Sequence, residues 1–547
     1  MKTILKPEDE LQPSFFVDDE LGWWAAKLSP NALKRLHKGW QGVFRRSILK
    51  LMPAEELGGH FSPDAGRPTK ELHSMAGLLL IAEFKNLTGD QTAEAYTFDA
   101  SVQFALNLPR DGQYLSPRTV DNYRKLFRED DLAQRVFTEV SAALVAELEI
   151  DIRRQRLDST HVLGDMARLG RRQLLSVTVR RFLVALEKHH PEVRAGLCSE
   201  LLERYRPAET RLFGGGRDKG TKTTEIILQI GADIAALIAA FHANPGVSAM
   251  ESYLAMVRIF AEHFETAPTP EPAPPVPRPK SIDASGGSTR TLQNPSDPDA
   301  GYDGKKGAGY QAQIAQTLPP RDADGETEGP GLLTALIPQS AAVRDNDALA
   351  GVLEIQTAHG LAPHELTADT IYGSDANVLH CASLGIELIS PVGGPKPGAN
   401  PPINHWTRAE REKRARLDGR RELEETDEWK DRYATRAGIE GVNRALDLVT
   451  GFKRLRVRGL AAVGMALHLK GAGWNILAAS KILARRARKA AQAAVAAGET
   501  RRGHPTSGEC AESLLERARR NSGPNRKLRI VILAPCIIPF GNAAKAA

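Results

Sequence analysis

The stretch RQRLDSTHVLGD (154–165) sets one acid, Asp158, among apolar, β-compatible residues: Ile150, Ile152, Leu157, Val162 and Leu163. A carboxylate in a buried strand is costly unless something pairs with it. A second isolated acid, Asp369, ends the short apolar run of HELTADTIYG (364–373), ahead of a glycine turn. Such strand ends face the crevice where open α/β sheets place their sites. The third acid is Glu440, in YATRAGIEGVNRALDLVTGFKRLRVRG. There Tyr433, Arg436 and Glu440, at i, i+3 and i+7, share one face of a predicted helix, and Arg436 is placed to hold or neutralise Glu440. Gly438 and Gly441 flank the acid; glycine inside a helix costs ~1 kcal/mol relative to alanine, which suggests close approach of another backbone.

These acids are 211 and 71 residues apart, yet two strand ends and one helix can bring them to one point. Three carboxylates in one pocket repel unless a cation sits between them. Mg²⁺ prefers oxygen ligands. Two such ions ~3.5–4 Å apart stabilise the attacking and leaving oxygens of an in-line phosphoryl displacement. Lys453, Arg454, Arg456 and Arg458 follow the glutamate helix, suited to phosphates.

The elements that must position these groups are legible. Strands are predicted around Asp158 and at 309–317, 331–343, 364–373 and 385–393, with a helix around 375–384. The order implies an α/β core. A helical stretch, 165–265, and a proline-rich segment, 266–280, separate the first strand from the second and read as an insertion and a linker that cannot form helix or sheet. Residues 1–148 read as an all-helical N-terminal domain, with Trp23 and Trp24 in its lead-in. In LSPRTVDNYRKLFRED, Ser116 is the expected N-cap, Pro117 the first helical residue, and Val120, Tyr123 and Leu126 the apolar face. Arg118, Arg124 and Lys125 ride on that helix, which resembles part of a helix-turn-helix DNA-binding unit; an ordinary helical bundle is the alternative.

Composition sets the bounds. The chain has 547 residues, 41% hydrophobic and 26% charged, as in soluble globular proteins of two or three domains. Cys198, Cys381, Cys510 and Cys536 are far apart, which argues against a disulfide framework or structural zinc and for a reducing, cytoplasmic setting. No apolar leader opens the chain, and the runs LLLIAEF and IVILAPCIIPF are far short of the ~20 residues of a spanning helix, so no membrane is expected. Charge is uneven: residues 481–547 hold 14 Lys/Arg against 4 Asp/Glu, leaving the rest at −4 of the net +6. This basic segment reads as a partly disordered tail suited to an anionic polymer.

RLDSTHV, NPSDPDAGYDGKKGAGYQAQI, LTADTIYGSD and Y-x2-R-x3-E followed by GFKRLRVRG resemble bacterial insertion-sequence DDE transposases with a YREK-type signature, over roughly residues 60–480. The resemblance implies a ribonuclease-H-like mixed-sheet catalytic core over 149–480, two Mg²⁺ ions with Mn²⁺ as a substitute, and Asp158, Asp369 and Glu440 as the metal-binding catalytic triad. It implies double-stranded DNA as partner, both terminal inverted repeats and target, bound by a homodimer. Tyr433 and Arg436 match the first two signature letters and join the DNA-binding candidates. Seven residues after Glu440 the family expects lysine and this chain has Asp447, so phosphate contact passes to Lys453 or Arg454. GYDGKKGAGYQ lacks the phosphate-loop pattern and reads as a hairpin lead-in, with Lys305 and Lys306 as DNA contacts. His161, three strand residues after Asp158, faces the other way and reads as structural; His189 and His190 read as surface, Trp406 and Trp429 as packing. A metal-dependent nuclease of the same fold and a catalytically silent DNA-binding relic are the alternatives.

Overall fold

The computed structural model describes residues 3–6, 28–62, 64–109, 113–166, 169–206, 221–267, 276–280, 291–394 and 407–501. At its centre is a mixed sheet. Its main strands are β1 (Arg154–Val162), β2 (Gly307–Thr317), β3 (Leu333–Ser340), β4 (Glu365–Ala368) and β5 (Glu387–Ile389), in spatial order β3-β2-β1-β4-β5. β2 runs antiparallel to β1 and β3, whereas β1, β4 and β5 are parallel. A short sixth strand, Gly301–Asp303, makes a hairpin with the start of β2, as the glycine-rich lead-in requires. All five expected strands therefore form.

After shorter helical segments within residues 30–58, five helices lead into the sheet: α1 (Leu72–Phe84), α2 (Gly89–Phe98), α3 (Ala100–Ala105), α4 (Pro117–Glu129) and α5 (Leu132–Glu147). Ser116 caps α4 by accepting from the Thr119 amide, with Pro117 next, and Val120, Tyr123 and Phe127 are its buried face. Trp23 and Trp24 lie outside the described residues. Between β1 and β2 come α6 (Arg171–His189), α7 (Thr221–Phe241) and α8 (Glu251–His263), which pack on a core of their own around Leu175, Phe182, Ile234 and Met256. After β3 follow α9 (Leu349–Ala358), α10 (Asp375–Ser383), α11 (Arg408–Glu424), α12 (Asp427–Ala434), α13 (Gly438–Thr450) and α14 (Leu460–Arg501).

Strand alternation sorts β1 between two layers. Leu157 points into a core with Val352, Leu353 and Leu366. Val162, on the other face, joins a larger core with Leu79, Phe127, Phe137, Ile314, Leu446 and Trp474. That core contains side chains from α1, α4, α5, the sheet, α13 and α14, so residue 148 marks a change of secondary structure within one packed unit. Lys470 of α14 is the polar staple of this core. It is 2% exposed and donates to the carbonyls of Glu83 and Thr450, at 2.8 and 2.6 Å.

Three expectations are corrected. Within the proline-rich segment, Val276–Pro279 is a strand paired with Phe264–Ala267. Pro277 and Pro279 alternate with Arg278 and Lys280, so ladder donors fall on residues that have an N–H; Lys280 N donates to His263 O at 3.0 Å. Second, Thr223–Phe241 is long and apolar enough to cross a membrane by length and composition, an apolar run the sequence reading passed over. One face of it, Ile230, Ile234, Leu237 and Phe241, packs in the insertion core. Third, the basic segment from 481 begins inside α14, which runs on to Arg501; residues 502–547 lie outside the described residues.

Burial pulls the Lys470 ammonium down to about 8 from 10.5. Between those values the unfolded chain binds more protons than the folded one, so Lys470 favours folding more as pH rises through that window. Lys470→Met should lower stability by about 2–4 kcal/mol by orphaning buried carbonyls. The gap to wild type in thermal melts should widen from pH 7 to pH 10.

Candidate active site

Arg156 and Asp158 sit two residues apart on β1 and so point to the same face, toward the turn that leads into α13. The Arg156 guanidinium is 3% exposed. It donates to Gln316 Oε1 at 2.9 and 3.1 Å and to the Thr435 carbonyl at 3.1 Å. Burial pulls it down to about 10. It also explains Gly438: a Cβ there would stand 2.2 Å from Arg156 Nη1. The close approach expected at this glycine is real, but the neighbour is a side chain rather than a backbone. Nothing lies within 4 Å of a Cβ on Gly441.

Asp369 follows the last residue of β4, beside β1. One nitrogen joins the two aspartates: Arg436 Nη2 lies 3.4 Å from Asp158 Oδ1 and 3.6 Å from Asp369 Oδ2. Asn443 Nδ2 donates to the other Asp158 oxygen at 3.2 Å. The Asp158 side chain is 14% exposed and that of Asp369 39%. Burial pushes the Asp158 carboxyl up, against the downward pull of Arg436.

The single helix expected across 433–450 is broken. Tyr433 lies in the last turn of α12, Thr435–Ala437 is a 3-10 turn holding Arg436, and Glu440 lies in the first turn of α13. Arg436 therefore turns toward the aspartates rather than toward Glu440. Glu440 is exposed on the first turn of α13 and forms no ion pair among the described residues. No group of three or more His, Cys, Asp or Glu side chains suited to one metal ion occurs among the described residues. Tyr433 stacks on Trp429, with centroids 4.9 Å apart; Trp406 lies outside the described residues.

Arg432 anchors α12 to the sheet. It bridges Glu365 of β4 and Glu387 of β5, which face each other across the parallel pair. Arg420 of α11 donates to the carbonyls of Gly373 and Ser390, at 2.9 and 2.8 Å, and Ser390 Oγ donates to the Asp369 carbonyl at 2.6 Å. The backbone of Asp369 is thus fixed through two layers.

The basic run is stitched to the end of β1. Leu163 N donates to Lys453 O and Leu455 N to Leu163 O, both at 2.8 Å. Asp447 accepts from the Lys453 amide at 2.8 Å, so the residue at the expected lysine position serves as a backbone staple. Arg454, Arg456 and Arg458 are exposed; Arg456 donates to Asn86 O at 3.3 Å, and Arg458 pairs with Asp165 at 3.3 Å. Arg124 faces Glu83 and Asp121 at 3.8 and 3.6 Å, while Arg118 is exposed. Arg124 and Arg456, which come from separate motifs, line one cavity of about 420 Å³ with Arg128 and Lys470.

Lys305 and Lys306 follow the Asp303 turn, whose carboxylate accepts from both amides. Lys306 Nζ reaches Ser159 Oγ at 3.3 Å. Ser159 in turn donates to Asp345, which also accepts from Gln313, both at 2.8 Å. Sequence reasoning missed Asp345 and Asn443. Asp345 opens the short 3-10 turn Asp345–Ala348, which has no periodic signal. Asn443, three residues after Glu440 on the same predicted helix, carried a signal that was available. The NPSDPD motif proves structural: Asp297 accepts from the Tyr310 hydroxyl and from Gly459 N, and Asp299 accepts from Leu460 N at the start of α14.

Residues 402–478 match the family model of a transposase DDE domain, a segment that contains Arg436, Glu440 and the basic run. No curated protein and no solved structure matches the chain.

Two stability measurements test this geometry. Gly438→Ala should cost about 1–3 kcal/mol, because Arg156 is held by Gln316 and Thr435 and cannot yield; an unchanged melting temperature would contradict the contact. Asp158 has its folded-state pKa raised, so its burial costs stability at neutral pH and that cost disappears as pH falls below the ordinary aspartate range. Asp158→Asn should therefore melt higher than wild type at pH 7 without divalent cations, by roughly 1–3 °C. The two curves should converge on acidification.

Proposed function

We propose that this chain is a DDE transposase that cleaves DNA at the ends of a bacterial insertion sequence and transfers the freed strand to target DNA. The observation that carries the reading is the meeting of Asp158, in the middle of β1, and Asp369, just past the end of the neighbouring parallel strand β4, on one guanidinium nitrogen, with Glu440 on the next helical turn. The strand order β3-β2-β1-β4-β5 with β2 reversed supports a ribonuclease-H-like core. The match of 402–478 to a transposase DDE domain supports the same reading.

The residues fit a hard divalent cation. Asp158 and Asp369 present only oxygens, and those oxygens already converge on one cationic nitrogen. Asp158, Asp369 and Glu440 would hold Mg²⁺, with Mn²⁺ as substitute. When bound, two such ions activate water or a 3′-hydroxyl and neutralise the phosphate at the cleaved bond. The chain's own part is positioning and charge. Asn443 and Arg436 orient the Asp158 carboxylate, and Arg156 sets the spacing between β1 and the turn that holds Arg436. Arg436 can exchange a carboxylate for a DNA phosphate.

Duplex DNA is the proposed partner, as terminal repeats and as target, on a homodimer in the bacterial cytoplasm. Lys453, Arg454, Arg456 and Arg458 contact its backbone together with Lys305 and Lys306. Tyr433 and Arg436 hold the strand end. Arg118 and Arg124 of α4 contribute to end binding from the helical region.

Labelled element ends mixed with target DNA and Mg²⁺ provide the test. Wild type should yield joined product. Asp158→Ala, Asp369→Ala and Glu440→Ala should each lose cleavage while retaining end binding, since each removes a carboxylate and no DNA contact. Cut but unjoined DNA would make the protein a nuclease. Binding without cutting would make it a silent DNA-binding relic.

A further inference from the structure

Asn443 is 6% exposed on α13, one helical turn after Glu440. Its Nδ2 donates to Asp158 Oδ2 at 3.2 Å, while Arg436 takes Oδ1. The carboxylate is thereby gripped at both oxygens, from two successive elements. The amide can be oriented only this way: the reverse would set its carbonyl against a carboxylate oxygen. Its Oδ1 is buried and has no hydrogen-bond partner among the described residues. A buried carbonyl left without a donor is expensive in a fold.

We propose that Asn443 is a positioning residue for the proposed active site, acting through Asp158. It fixes the rotation of the carboxylate, so that the oxygens meant for a divalent cation are aimed before the cation arrives. A neutral amide suits this place better than an acid. It supplies a donor to Asp158 and adds no further negative charge to the pair of aspartates. The inference rests on the reading of Asp158 as a cation ligand.

The test uses full-length protein, with Mn²⁺ alone as the probe. Mn²⁺ affinity is measured by titration calorimetry without DNA, and melting temperature without divalent cations. Asn443→Ala and the isosteric Asn443→Leu should each bind Mn²⁺ roughly 10–100-fold more weakly, the usual effect of losing a group that orients a ligand. End binding should be unchanged in both. Asn443→Leu keeps the buried volume, so a folded Leu variant carries the test if the Ala variant melts early. In an Asp158→Asn background, either substitution should have no further effect on Mn²⁺ affinity. Wild-type affinity in both single variants overturns the positioning role and leaves the Asp158 reading intact. Unchanged Mn²⁺ binding in Asp158→Asn alone overturns the reading of the site, and the role of Asn443 with it.

Discussion

The carboxyl group of Asp158, in the middle of a central strand, is the constraint around which the site is arranged. A charge so placed must be met by a cation or by donors. The chain meets it from one direction, with Arg436 on one oxygen and Asn443 on the other. Arg436 comes from the turn between α12 and α13 and Asn443 from α13 itself, so that turn and the start of α13 must lie against β1. The rest of the neighbourhood serves this docking. Arg156, two residues earlier on the same face, ties the Thr435 carbonyl down, and Gly438 leaves room for it. Arg432 clamps the preceding helix across β4 and β5.

The pairing remains incomplete. Burial still holds the Asp158 carboxyl above the usual range despite its two partners. The Nε of Arg436 and the Oδ1 of Asn443 are buried without hydrogen bonds. A fold selected for stability alone would replace such a group with a packed apolar residue at little cost. Polar atoms left unsatisfied beside a raised carboxyl are where function and stability part company.

Much of this was legible in the chain. Period-two apolar patterning located all five main strands, and the Ser116–Pro117 cap located α4, because both signals depend on neighbours in sequence. What failed depends on neighbours in space. The spacing of Tyr433, Arg436 and Glu440 fits one continuous helix, but tertiary pull on Arg436 and on the Thr435 carbonyl tightens residues 435–437 into a 3-10 turn. Proline density at 266–280 looked incompatible with a strand, yet alternate residues still offered donors to a partner. Within the helical stretch 165–265, the length of the apolar run 223–241 is masked by Asp233, an acid buried with Arg204 and Tyr205 in the insertion core. Asp345 had no local signal at all.

Asp447 stands where the signature that this chain resembles has a lysine. A lysine at that position would bring a charge directly to a phosphate. Here the shorter, oppositely charged side chain accepts from the Lys453 amide and closes the turn after α13. That turn starts the run 453–458, whose backbone pairs with the residues just beyond β1. The acid thus fixes the path of the segment that carries Lys453, Arg454, Arg456 and Arg458, rather than contributing a charge of its own. In the proposed function, phosphate contact falls to an ordered loop beside the same strand that carries Asp158. The loop's exposed cations and the buried carboxylate are then held in one register by β1.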